Sequence, residues 1–479
     1  MALPSLSRNE MTLSPRLIED LFGSEAAESE NDDRLRDYFY RSQPLREFLT
    51  TTPLKIAVGF KGTGKSALLR MGYLNDLEDG HLALWITPDD LGGTVYEDAK
   101  ANESVIPAIR VWKNSLCTLL ADRLDDAPDK TDSTRKWVKR ATDGERHALA
   151  KLFVEVGATR VPVSLYIDDL DRGWSAKAGD IIALTALLHA LRDLCRNNPG
   201  LTARVSLRSD VYWDLRGADE SLDKFEENVV KVRWSQTEIL AVLVKRVVTF
   251  LGTKLPEDDL QTADQTRLAE WIGPVFAESF VNTRSWPGAS THRVLLSLVR
   301  GRPRDIIKLA IESGRAAARR SAVRVEGRDI LQIVPDYSTN RLQDLTVEFR
   351  RIMPDLERVL HAMAPTRSEL QQMRVGGLDN VWVYRTDRLV AKINNIRQRV
   401  QQTPGLDAMA TARLLYRIGF VTARKRLPDG YIERHDFEEY PSLLGPGGDG
   451  GFLWEVHPAY RSALNLDKLV DWHSSVDLS

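Results

Sequence analysis

The chain has 479 residues, of which 43% are hydrophobic and 28% charged. That length exceeds what one compact core holds, and the composition is that of a globular protein, so two or three domains are expected. Sixty-six basic residues against 68 acidic ones leave a formal charge of -2, which excludes a whole-molecule attraction to nucleic acid or membrane; such a partner has to be met by a local patch.

The N-terminal stretch MALPSLSRNEMTLSPRLIEDLF lacks the apolar core of a signal peptide, and no run approaches the length of a membrane span. A cytoplasmic protein with no membrane partner is therefore expected. Residues 1–50 read as a polar tail and then helix, with Leu35 to Phe39 in amphipathic spacing. Pro53 opens an apolar run, Leu54 to Val58, of buried-strand length; a Gly-rich loop and a helix follow directly. Leu82 to Ile86 is a second strand, and a long helix from Ile106 to Leu124 precedes a charged, weakly periodic insert over 125–145. Val161 to Ile167 is the next strand and ends in Asp168-Asp169-Leu170-Asp171. A helix, Gly179 to Arg196, leads to the turn Asn197-Asn198-Pro199-Gly200, and strands Ala203 to Leu207 and Val229 to Val232 follow. Strands alternating with helices predict an α/β fold with a doubly wound parallel sheet. From Thr237 to residue 350 the pattern is helical, and 351–479 reads as helices, a β-hairpin and a closing helix. The predicted domains are thus a helical segment over 1–50, a core over 51–236, a helical lid over 237–350 and a winged-helix-like domain over 351–479.

The Gly-rich loop runs Gly59-Phe60-Lys61-Gly62-Thr63-Gly64-Lys65-Ser66, with Ala67 continuing into the helix. Glycines let such a loop wrap backbone N–H groups around a β-phosphate, and the helix N-terminus adds a favourable dipole. Lys65 is placed to reach the β- and γ-phosphates, and the Ser66 hydroxyl to ligate magnesium. Bound ATP with magnesium is the expectation; no Asn-Lys-x-Asp guanine motif occurs. Asp168, at a strand end, suits the magnesium shell, and Asp169 suits a base that orients or deprotonates water. Arg208, at another strand end, is a candidate sensor of the γ-phosphate; the alternative is an arginine that pairs with Asp210. Gly301-Arg302-Pro303-Arg304-Asp305 opens a helix, either projecting Arg304 over nucleotide or serving as a plain helix start with Pro in its first turn.

This order of motifs resembles the AAA+ and STAND class of P-loop ATPases. Within it the chain is similar to bacterial ATPases related to KAP and origin-recognition-type modules. The segments that carry the resemblance are Phe22-Gly23, Tyr38-Phe39, GFKGTGKSALL, IDDLDR, LRSD, GRPRDII, LYRIGF and VHPAYR. The resemblance implies an ATPase whose relatives often lie near phage-defence genes. It further implies Tyr38 and Phe39 as residues flanking the adenine, and Arg216 or Arg172 as an arginine finger acting in trans. Glutamate is commoner than aspartate at the base position in this class, so turnover is expected to be slow.

In the C-terminal third, a helix from Asp407 to Ile418 carries Arg413 and Arg417 and runs into Gly419-Phe420-Val421, the basic Arg424-Lys425-Arg426 and an alternating Phe452 to Val456. That is winged-helix order, able to place a helix in a DNA major groove or to serve as a protein-contact module. Arg300 to Arg328 is dense in arginine and could track phosphates or form a solvated helix face. The two cysteines, Cys117 and Cys195, read as buried hydrophobes in a reducing compartment, and His457 as a satisfied structural histidine. The leading function is a nucleotide-dependent switch, homo-oligomeric or signalling to a partner effector protein; the alternative is an ATPase acting on duplex DNA.

Overall fold

Along the central strands of the computed structural model, successive residues enter two different apolar clusters, one on each face of a sheet. The structure describes residues 12–26, 29–90, 92–125, 162–375, 380–400, 406–426, 432–445 and 450–464; the charged insert expected after Leu124 lies outside them, Asp125 excepted. The chain divides into two compact units, Ala26–Trp234 and Met1–Glu25 with Ser235–Ser479.

In the first unit, β1 (Leu54–Gly59), β2 (Leu82–Ile86), β3 (Val163–Ile167), β4 (Leu201–Arg208) and β5 (Val229–Lys231) form one parallel sheet in the order β2-β3-β4-β1-β5. Ile56, Val58, Leu84, Leu165 and Ile167 face the helices Val105–Asp125 and Ala178–Asn197, where Trp112, Leu116, Leu187 and Leu191 are buried. Ala57, Ala83 and Tyr166 face the other way, onto Leu68, Leu69 and Met71 of the helix Lys65–Glu78 and onto Leu45 and Phe48. Each fully buried aliphatic side chain contributes about 1.5–3 kcal/mol. Two covered faces explain why these strands are near-continuous apolar runs rather than alternating ones. Cys117 and Cys195 lie in the first cluster as free thiols, and burial pushes both up to about 12.

In the second unit, Ser14 caps the helix Pro15–Phe22, which buries Ile18, Leu21 and Phe22. It packs against the helix Pro303–Arg319 at Gly314, where a Cβ would come within 2.7 Å of Ile18 Cδ1. The expected 1–50 segment is therefore divided: this helix goes with the second unit, while Asp32–Tyr38 and Gln43–Phe48 go with the first. Further helices, Gln236–Phe250 to Gly327–Phe349, make up the helical region. After them come β6 (Val383–Tyr384), the helices Thr386–Arg399 and Ala408–Arg417, then β7 (Val421–Arg426), β8 (Ile432–His435) and β9 (Leu453–Val456), in an antiparallel sheet ordered β6-β9-β7-β8. Strand, two helices, strand, wing and strand make this a winged-helix-like domain. At its centre Glu455 is fully buried and pairs with Arg424, Arg434 and Arg461.

Candidate functional site

The loop that follows Gly59, Asp168, Asp169 and Arg208 lie at the C-terminal edge of the parallel sheet, where crevices of α/β folds form. The register sets this: Gly59 of β1 lies beside Arg208 of β4, and Ile167 of β3 beside Val205. Asp168 follows Ile167 and accepts a hydrogen bond from the Ser206 hydroxyl of β4. The strand carrying Asp168 is thus one strand, about 4.8 Å, removed from β4, and β4 in turn from the strand that enters the loop.

The loop closes on itself. Thr63 donates to the Phe60 carbonyl through its N–H, at 3.3 Å, and through its hydroxyl, at 2.9 Å. Lys65 Nζ donates to the carbonyls of Gly59 (3.0 Å) and Phe60 (3.1 Å), so its ammonium lies across the loop mouth. Gly62 and Gly64 have φ of 84° and 90°, values that β-carbon-bearing residues adopt only at a cost. Gly64 is the N-cap of the helix and has no side chain to satisfy the first turn, so the N–H groups that follow remain oriented donors. Gly59 is required for a different reason: a Cβ there would stand 2.5 Å from Thr63 Oγ1 and 3.2 Å from the Val232 carbonyl. Phe60 packs edge-on against Trp213 at 5.6 Å.

Asp168 is buried at 4% exposure. Asp169 has a left-handed φ of 58°, a conformation that costs a non-glycine residue about 1–2 kcal/mol and turns the chain sharply at the strand end. Burial and the neighbouring Asp168 raise its carboxyl above the ordinary aspartate range, against the pull of Arg172. Arg172 pairs with Asp169 at 3.1 Å and also with Asp89. Arg208 makes a two-pronged contact with Asp210, at 2.9 and 2.8 Å, and reaches Asp171 at 3.1 Å. The pairing foreseen as the alternative is thus present, with Asp171 added to it. Arg216 pairs with Asp223 and Glu226.

Of the adenine candidates, Tyr38 is buried beneath the Arg34 guanidinium, and Phe39 is partly buried against the cluster that holds Leu35, Phe48 and Leu69. Phe22 lies in the second unit, against Phe276. Trp234 escaped the sequence reading. Its indole N–H donates to the Thr63 carbonyl at 2.8 Å, and its ring lies 6.3 Å from that of Tyr40.

Arg304 is in the second unit, on the first turn of the helix Pro303–Arg319, and half-buried. The residues around it are fastened. Arg300 and Arg341 both donate to Asp305, and Arg302 pairs with Glu348. Burial would raise the Asp305 carboxyl, but Arg300 and Arg341 hold it well below the usual range. Arg320 and Arg328 pair with Glu326, and Arg320 also with Asp329. Part of the arginine-dense stretch therefore serves internal ion pairs. In the winged domain, Arg413 donates to the Leu444 carbonyl and Arg424 is buried against Glu455, while Lys425 and Arg426 are exposed. His457 accepts from the Ala459 N–H, and burial pushes it down to about 3, so it is neutral at physiological pH. Among the described residues there is no cluster of three or more His, Cys, Asp or Glu able to hold a metal, and no helix long and apolar enough to cross a membrane.

Residues 263–346 match the FunZ-associated C-terminal helical domain. Over 324 residues the chain is 22% identical to an 80.3 kDa protein ascribed to transposon gamma-delta in Escherichia coli (strain K12); the match takes in 64% of this chain and 40% of that protein's length. Similar solved structures include the Aeropyrum pernix ORC2 protein in ADPNP-ADP complexes, with a TM-score of 0.40, 11% identity and 90% of each chain covered. The Aeropyrum pernix ORC1 protein in complex with DNA has a TM-score of 0.35 at 14% identity, covering 91% of this chain and 94% of that one. Cdc6p from Pyrobaculum aerophilum has a TM-score of 0.31 at 12% identity, covering 89% and 94%. Likenesses this distant transfer no residue roles.

Proposed function

We propose that the chain is an ATP-binding, slowly hydrolysing P-loop switch. The observation that carries this is the loop itself: two left-handed glycines, an uncapped helix start and the Lys65 ammonium over the carbonyls of Gly59 and Phe60, at the end of a strand two places from the one that ends at Asp168. Backbone donors of Gly59 to Ala67 would hold the β-phosphate, and Lys65 the β- and γ-phosphates.

Magnesium suits the donors present. It is a hard cation, usually held by one or two protein oxygens together with substrate phosphates rather than by an all-protein cage. The Ser66 hydroxyl and the Asp168 carboxylate are oxygens of that kind. When bound, it would neutralise charge developing on the phosphates. Asp169 would take or orient the proton of the attacking water. Its pairing with Arg172 and its shortness relative to glutamate both favour slow turnover. Arg208 and Arg304 would sense the γ-phosphate.

An output in antiphage defence, read by an effector protein or through a homo-oligomer, is implied only by the sequence resemblance. Contact of the C-terminal domain with DNA draws on its helix-strand-wing order and on exposed Lys425 and Arg426.

The test is equilibrium binding of ATP with magnesium to wild type and Lys65→Ala. Removing a charge-assisted contact should weaken binding roughly tenfold to a hundredfold. Equal affinity in the two proteins would sink the reading.

A further inference from the structure

One hydrogen bond in the first unit joins residues 171 positions apart, the Trp234 indole to the Thr63 carbonyl. It forms because β5 runs parallel to β1, with Ala57 beside Val230 and the Val232 N–H on the Val58 carbonyl at 2.8 Å. The chain leaving β5 is thereby brought alongside the loop leaving β1. The Trp234 ring then lies over Gly64, 3.9 Å from where a Cβ would stand.

The Thr63 carbonyl and the Gly64 N–H belong to the same peptide plane. In a trans peptide these two bonds point in opposite directions. Holding the carbonyl toward Trp234 therefore turns the Gly64 N–H away from the indole. A glycine at φ 90° has little torsional resistance of its own, so this peptide needs an external anchor to keep its orientation.

We infer that Trp234 is a positioning residue for the phosphate loop: its indole N–H fixes the Thr63–Gly64 peptide so that the Gly64 N–H is presented to the β-phosphate of a bound nucleotide. Ser235, the next residue, caps the helix Gln236–Phe250 through a reciprocal pair with Glu238, so the anchor is also the last residue before the chain enters the second unit.

The inference rests on the nucleotide-binding reading, and the experiment separates the two. ATP, ADP and AMP are titrated against wild type and Trp234→Phe, which keeps an aromatic ring but has no N–H. The variant should bind ATP and ADP about tenfold more weakly, the worth of one hydrogen bond to a charged group. AMP, lacking a β-phosphate, should change less than about twofold, well under that worth. Unchanged ADP affinity, or an AMP loss as large as that of ADP, overturns the positioning role. Wild type that binds no ATP overturns the nucleotide reading as well. Should Trp234→Phe not fold, hydrogen exchange of wild type decides. Peptides spanning 59–66 and 230–236 should gain protection together with ADP and not with AMP; protection of the loop alone refutes the coupling.

Discussion

At the residue scale, the proposed hydrolysis turns on Asp169 and the arginine that shares it. Burial first, and then the charge of Asp168, raise the Asp169 carboxyl, while Arg172 opposes them. A base works only when deprotonated, so hydrolysis by this residue should fall away on the acid side at a higher pH than an ordinary aspartate would set. Arg172→Ala removes a lowering influence. The acid limb of a single-turnover pH profile should then move to higher pH, with the plateau rate largely kept; a limb that stays in place or moves down means that Asp169 is not the base. The same pair shows what the sequence could and could not reveal. The place of Asp168 and Asp169 at a strand end was legible because a run of apolar residues led up to them. Nothing in the sequence joined Arg172 to Asp89, or Trp234 to Thr63, because such contacts exist only once parallel strands are in register.

At the element scale, the five core strands and the loop between β1 and its helix were readable because both faces of the sheet are covered, which leaves near-continuous apolar runs. The arginines of the C-terminal third were harder, since periodicity does not reveal whether a charge is solvated or paired inside. Arg424, read from the sequence as part of a basic stretch, pairs inside the domain with Glu455. Burial would raise the Glu455 carboxyl, yet Arg434, Arg461 and Arg424 together hold it at about 2, below the ordinary 4.5. A carboxyl depressed in the folded state adds stability above its ordinary value and loses it as the pH falls toward the depressed one. The winged domain should therefore weaken between pH 4.5 and about 2. Glu455→Gln leaves three buried guanidinium groups without their anion and should cost about 3–5 kcal/mol at neutral pH. It should also flatten that acid dependence. Denaturant unfolding followed by hydrogen exchange across 421–456 measures both, and an unchanged neutral-pH stability refutes the account.

At the scale of the whole molecule, the chain passes between its two units twice, at Glu25–Ala26 and at Trp234–Ser235. The loop residues and Asp168 belong to one unit, and Arg304 and the winged domain to the other. A switch built this way needs a ligand whose affinity differs between two arrangements, because a ligand bound equally well in both shifts nothing. The γ-phosphate is the group that separates ATP from ADP, and Arg304 is the proposed residue of the second unit to read it. A slowly hydrolysed ATP analogue should therefore change the hydrodynamic size or assembly state seen by light scattering, and ADP should not. Lys65→Ala should abolish the response by losing the nucleotide. Arg304→Ala should instead still bind nucleotide and fail to respond. A response to ADP as large as to the analogue would remove the γ-phosphate from the mechanism and leave the loop as a fixed nucleotide anchor.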